Sequence, residues 1–136
     1  MEDKQHRRLS DYKTDELFEL DPYELTELLN EEFGYHLIVE DGMIETADDL
    51  KAAGILMTRL ANAFPYLAYL SSIAKIKVRQ AKRDKNIKKD EIDDAIDRKE
   101  AISNITEAVN MQYNAISRLV TVKQQINEEL KMTDGR

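Results

Sequence analysis

The stretch LKAAGILMTRLANAFPYLAYLSSIAKIKVRQA, residues 50–81, decides the fold. Apolar or small residues recur along it in alternating steps of three and four. They are Leu50, Ala53, Met57, Leu60, Phe64, Leu67, Ser71, Ala74, Val78 and Ala81. This spacing is typical of a helix that packs against another helix along a coiled-coil seam. The sequence therefore predicts one long helix with a helical partner.

A second apolar stripe lies beside this seam. It consists of Tyr66, Tyr69, Ile73 and Ile76. A helix with two apolar faces needs two neighbours, and the chain offers one other long helix. We therefore predict that these four residues and Phe64 form an oligomer or partner interface, with packing inside the chain as the alternative. Pro65 removes a helical hydrogen bond and predicts a kink, or a split into two helices.

The second long helix is predicted to begin near Asp90. Its stripe is Ile92, Ala95, Ile102, Ile105, Val109, Gln112, Ile116, Leu119, Lys123, Ile126 and Leu130. Before it, RDKNIKKDE (residues 83–91) has one apolar residue and predicts a polar elbow, with a continuous helix as the alternative. Two helices of about 40 residues would each be roughly 60 Å long. The predicted fold is all-α, a long antiparallel, coiled-coil-like helical hairpin over residues 46–132.

Residues 1–45 predict an acidic N-terminal arm with one short helix. Residues 1–12 show no apolar period, and we expect them to be disordered. Asp21 and Pro22 form a good helix start, because Pro suits the first helical position. The segment YHLIVEDG, residues 35–42, is expected to be an extended connector. The hairpin itself is predicted to begin at Thr46, where TADD has the spacing of a capping box.

Composition excludes several kinds of function. The chain has no Cys, so disulfides, thiolate metal sites and a Cys nucleophile are excluded. Its two histidines, His6 and His36, are far apart and lack metal-ligand spacing. No apolar stretch is long enough to span a membrane. We expect no membrane contact and a cytoplasmic location, which is the bacterial host cytoplasm if the chain is phage-encoded.

An enzymatic role finds little support in the carboxylates. Glu24, Glu27 and Glu31 have the spacing seen in all-α nucleotide pyrophosphohydrolases that hold Mg²⁺, but no second acidic motif follows. No nucleophile and base can be paired from their spacing. We therefore predict a protein that is not an enzyme, with no catalytic residue, cofactor or metal.

Charge is most uneven in the basic zone, residues 75–89. It carries eight basic residues against Asp84 alone, whereas residues 1–50 carry 16 acidic and 4 basic residues. Like charges at this density repel one another, so the zone predicts a polyanion partner such as nucleic acid phosphates. The candidate nucleic-acid-binding residues are Lys75, Lys77, Arg79, Lys82, Arg83, Lys85, Lys88 and Lys89. A solvated face and docking against the acidic arm are the alternatives. The carboxylates that follow suit the start of a helix.

The chain from about Thr46 to Leu130 resembles the UvsY-like recombination mediators of tailed phages. The resemblance rests on LANAFPYLAYLSSIAKIKVRQAKRDK, which passes from apolar to basic, and on the amphipathic DRKEAISNITEAVNMQYNAISRLVTVKQQI. It implies a ring-like homo-oligomer that binds single-stranded DNA and helps a recombinase displace a single-strand-binding protein. Within the basic zone, the resemblance assigns DNA binding to five residues taken together as a group. They are Lys75, Lys77, Arg79, Lys82 and Arg83. The resemblance does not extend to the acidic arm.

A second class of function places the activity in the arm. In this interpretation the chain is a helical protein–protein adaptor, or a phage-encoded inhibitor of a host factor. An arm of this kind lays an apolar face into a partner's groove. The apolar residues that it would present are Leu17, Phe18, Leu20, Tyr23, Leu25 and Leu28. The plainer alternative is that the arm covers the stripe around Tyr66 and Tyr69.

Overall fold

The computed structural model describes residues 7–33 and 44–134, and side chains as far as Lys131. This part of the chain forms a short 3-10 helix, Leu9–Asp11, and four α-helices, without a β-strand. The α-helices are α1 (Thr14–Leu17), α2 (Pro22–Phe33), α3 (Ala47–Arg83) and α4 (Lys89–Asp134). The predicted extended connector, residues 35–42, lies outside the described residues, as do residues 1–6.

The two long helices pack against each other as a hairpin, which confirms the predicted fold class. Seam residues of α3 such as Leu60, Leu67 and Ala74 are buried. They belong to the same hydrophobic cluster as Ile102 and Val109 of α4. Burying a branched side chain of this kind contributes roughly 1.5–3 kcal/mol, so the seam is a main source of the hairpin's stability.

The ends of α3 are set by short-range hydrogen bonds. The backbone N–H of Asp49 donates to Thr46 Oγ1 at 3.2 Å, and the Asp49 carboxylate accepts from the N–H of Thr46 at 3.0 Å, forming the predicted capping box. At the other end, residues 84–88 are not helical, so the predicted elbow is confirmed. The Asp84 carboxylate accepts the N–H of Asn86 at 2.9 Å and holds this turn.

Helix α3 runs through Pro65 without dividing into two helices. The Pro65 ring faces solvent, while Ala63 and Leu67 on either side of it are buried. The missing hydrogen bond costs on the order of 3 kcal/mol. Several buried apolar side chains on both sides of Pro65 offset that cost, and the helix continues.

The N-terminal arm packs on the hairpin and is part of its core. Leu17, Phe18, Leu25 and Leu29 are buried in the same hydrophobic cluster as the α3–α4 seam. Arg98 of α4 donates from Nε to the backbone carbonyl of Leu20 at 2.7 Å. The arm is thus fixed to the hairpin by apolar burial and by one charged hydrogen bond from a distant part of the chain.

The prediction of disorder through residue 12 is wrong for its last residues. Leu9 is buried in the core cluster and lies in the 3-10 helix. The Arg7 guanidinium stacks over the Tyr12 ring, 4.0 Å from its centroid, and the N–H of Arg8 donates to the Asp11 carboxylate at 2.8 Å. One leucine in a charged stretch creates no periodic signal, so the sequence pattern missed this anchor.

Candidate nucleic-acid interface

The basic zone forms the tip of the hairpin. It comprises the last turns of α3, the elbow and the first residue of α4. Seven of the eight predicted cations are exposed, and Lys77 is half-buried. The structure therefore brings the predicted nucleic-acid-binding residues together at one end of the molecule.

No ion pair within 4.0 Å involves any of these eight cations among the described residues. The ion pairs that join described arm residues are internal to the arm. They join Arg7 to Glu16 at 3.6 Å and Arg8 to Glu32 at 3.5 Å. Within residues 7–33 and 44–131, the structure thus shows no docking of the basic zone on the arm's carboxylates.

Helix dipoles explain the positions of some charged residues in and next to the basic zone. Lys82 and Arg83 occupy the last turn of α3, where cations are favoured. Asp90 and Glu91 occupy the first turn of α4, where carboxylates are favoured, as predicted. Lys88 and Lys89 lie at the same helix start, which disfavours positive charge. Helix stability therefore does not explain them.

Three of the cations form a row along one side of α3. Lys75, Arg79 and Lys82 are four and three residues apart, which places them on the same side of a helix. The same row continues backwards through Ser71 to Phe64 by steps of four and seven. Phe64 meets Tyr113 of α4 edge to face, with ring centroids 5.9 Å apart.

We call this side of the hairpin the open face. Its members on α3 are Phe64, Ala68, Ser71, Lys75, Arg79 and Lys82. On α4, Tyr113 is preceded at steps of seven by Thr106 and Lys99, so these residues share its side of the helix. The contact between Phe64 and Tyr113 shows that these two sides adjoin.

The arm lies on the opposite side, which we call the arm face. The arm lines cavities with Asn62 and Tyr66 of α3, and further along with Lys77. On α4 it lines a cavity with Asp97 and Asn104. Among the described residues, the arm therefore covers one face of the hairpin, and no described segment covers the other.

The two faces differ in charge. Described arm residues 7–33 carry nine carboxylates and three basic residues. The cavity between α2 and α4, about 580 Å³, is lined by four carboxylates, those of Asp21, Asp94, Asp97 and Glu100. A polyanion is repelled by the arm face and attracted by the cations at the tip and on the open face.

The residues of the predicted interface stripe differ in their burial. Tyr66 packs against Phe33 of the arm, with ring centroids 6.1 Å apart, and Ile73 is half-buried. Tyr69 and Ile76 stay 54% and 50% exposed. Burial raises the pKa of the Tyr66 hydroxyl, and the negative charges of Glu32 and of Tyr69, when ionised, act in the same direction. The arm thus covers Tyr66, while no described segment covers Tyr69 or Ile76.

The apolar residues assigned to the adaptor hypothesis lie mostly in the core. Leu17, Phe18, Leu25 and Leu28 are buried, and Leu20 is half-buried. Tyr23 alone among the six is exposed, at 70%. The folded arm therefore exposes most of its carboxylates, and its apolar stripe faces the hairpin.

No described helix is long and apolar enough to cross a membrane. Within the described residues, no three His or carboxylate side chains are grouped to hold a metal ion. No protein-family model, curated protein or solved structure matches the chain. The geometry of the site is thus the ground for a functional proposal.

Proposed function

We propose that this protein binds single-stranded nucleic acid as a non-enzymatic accessory factor, in the manner of a recombination mediator. The observation that carries the proposal is the group of eight cations at the hairpin tip, none of which has an ion-pair partner among the described residues. Unpaired cations of this density attract phosphates and release counterions when they bind them. Binding is directed at the backbone and has little sequence preference.

Self-association is part of the same proposal. Tyr69 and Ile76 form an exposed apolar pair on α3, and the far end of α4 exposes Val122, Ile126 and Leu130. In an oligomer, several tips hold one strand, and the linked sites raise the affinity without new contacts. A recombinase or a single-strand-binding protein is the protein partner that this function implies.

The test is binding of the purified chain to a fluorescent oligo-dT and to a duplex of equal length, at low and at moderate salt. Sizing of the same samples gives the oligomeric state. We expect an oligomer that binds the single strand more tightly than the duplex and loses affinity as salt rises. Absence of binding to either DNA at low salt would refute the proposal and direct attention to the acidic arm.

A further inference from the structure

The open face combines charge with aromatic surface, which the basic zone alone does not provide. Lys75, Arg79 and Lys82 lie at its tip end, and Lys99 of α4 lies on the same side of the hairpin. About 16 Å further along α3, at 1.5 Å per residue, the face reaches Phe64 and its contact with Tyr113. Cations and aromatic rings are thus arranged in line along one face.

The rings are placed to meet a ligand. Phe64 and Tyr113 are both half-buried, so each ring keeps some surface in contact with solvent. The side chains between them and the cations are small or uncharged. They are Ala68, Ser71 and Ser72 on α3, and Ser103, Thr106 and Asn110 on α4. None of these six side chains is charged or larger than Asn, while the exposed carboxylate of Glu107 lies beside them on α4.

We propose that the open face is the track of the single strand, with phosphates held by Lys75, Arg79, Lys82 and Lys99 and a base stacked on the Phe64–Tyr113 pair. This inference rests on the proposed function and adds a path and a base contact to it. Stacking on aromatic rings accepts every base, so sequence preference stays low. A duplex keeps its bases stacked inside, so a stacking site favours single strands. The ligand class is single-stranded DNA or RNA.

The experiment compares an oligo-dT with an abasic strand of equal length, which has the phosphates but no bases. Wild-type protein should bind the oligo-dT more tightly, by about five- to 150-fold, the range for one base–aromatic stack. Tyr113→Leu should abolish this preference and leave the affinity for the abasic strand unchanged. Tyr113→Phe, which keeps the ring, should behave as wild type. Oligo-dT and oligo-U separate DNA from RNA, because only RNA carries 2′-hydroxyl groups.

Two further variants complete the test. Tyr23→Leu removes an exposed tyrosine of the arm, on the other side of the hairpin from the open face, and it should keep the preference for bases. Phe64→Leu tests the other ring of the pair and serves where Tyr113→Leu fails to fold, as judged by circular dichroism. Equal wild-type affinity for the two strands overturns the stacking site and leaves the proposed function standing. Absence of binding to both strands overturns the proposed function, and the stacking site falls with it.

Discussion

The arm face and the open face of the hairpin belong to the same two helices but differ in apolar cover and in the sign of their charge. On the arm face, leucines such as Leu25 and Leu29 complete a core, and carboxylates point outward. On the open face no segment described by the structure adds a third layer, and cations gather near the tip. The comparison separates stability from the proposed binding. The arm face stabilises the fold, and the open face, which no described segment covers, is the surface that we propose for the ligand.

The largest expected effect comes from the seam that both faces share. Leu60 is fully buried, so Leu60→Lys places a charge in the core without a partner. We expect a loss of more than about 4 kcal/mol in the free energy of unfolding, measured by urea titration, with loss of a cooperative transition. Ile55→Lys on the exposed side of α3 is the control and should unfold like wild type. Equal behaviour of the two variants would show that the seam is assigned to the wrong residues.

The next largest effect is expected from a substitution that weakens the packing of the arm face alone. Leu29 is 1% exposed, and Leu29→Ala should lower the free energy of unfolding by about 2–5 kcal/mol because it leaves a cavity under α2. Tyr23→Ala, on the solvent side of the same helix, should change it by less than about 0.5 kcal/mol. At a temperature where the variant is folded, its affinity for oligo-dT should match wild type. A loss of affinity in the Leu29→Ala variant would show that the two faces do not act separately.

A smaller effect is expected at the hydrogen bond that fixes the arm. Arg98→Met keeps the apolar stem but leaves the Leu20 carbonyl without its donor. The expected cost is about 1–3 kcal/mol in the free energy of unfolding, because this part-buried acceptor loses a charged partner. Hydrogen exchange should increase in α1 and α2 and stay constant in the centre of α3. Uniform exchange increases along the chain would contradict a local role for Arg98.

The smallest effect concerns the start of α3 and depends on pH. Hydrogen bonds from the backbone N–H groups of Glu45 and Thr46, and from the Thr46 hydroxyl, lower the pKa of Asp49 from its ordinary value of 3.8. The carboxylate therefore stabilises the fold above pH 3.8, and this stabilisation is lost as the pH falls through the lowered pKa. Asp49→Ala should melt slightly below wild type at neutral pH, and the difference should shrink in acid. A difference in Tm that is the same at all pH values would exclude the carboxylate as the cause.

The sequence predicts those parts of the fold that repeat or that depend on neighbouring residues. The three-and-four spacing around Leu60 and Leu67 located the seam, and the single apolar residue in the elbow located the turn. The burial of Leu9 was not predicted, because a single apolar residue shows no hydrophobic periodicity. Helix α3 continues past Pro65 because tertiary packing on both sides of the proline outweighs the cost of the lost hydrogen bond. The local sequence around Pro65 gives no information about that packing.

The candidate site was predictable as a set of residues but not as a surface. The eight cations are adjacent in the chain, so their number and location follow from composition. The placement of Lys75 and Lys99 on one side of the hairpin depends on how α3 and α4 pack against each other. The pairing of Phe64 with Tyr113 depends on the same packing, and so does the position of the arm on the other side.

The most direct test of the central claim is the salt dependence of oligo-dT binding in two variants of equal charge. One variant carries Lys75→Gln, Arg79→Gln and Lys82→Gln on the open face. The other carries Lys51→Gln, Arg118→Gln and Lys131→Gln, three exposed cations away from the tip. We predict that the first variant binds more weakly and that its slope of log affinity against log salt is smaller by about 2, at roughly 0.7 per phosphate contact. The second should match wild type. The same loss in both variants would contradict the claim, because net charge and not the open face would then govern binding.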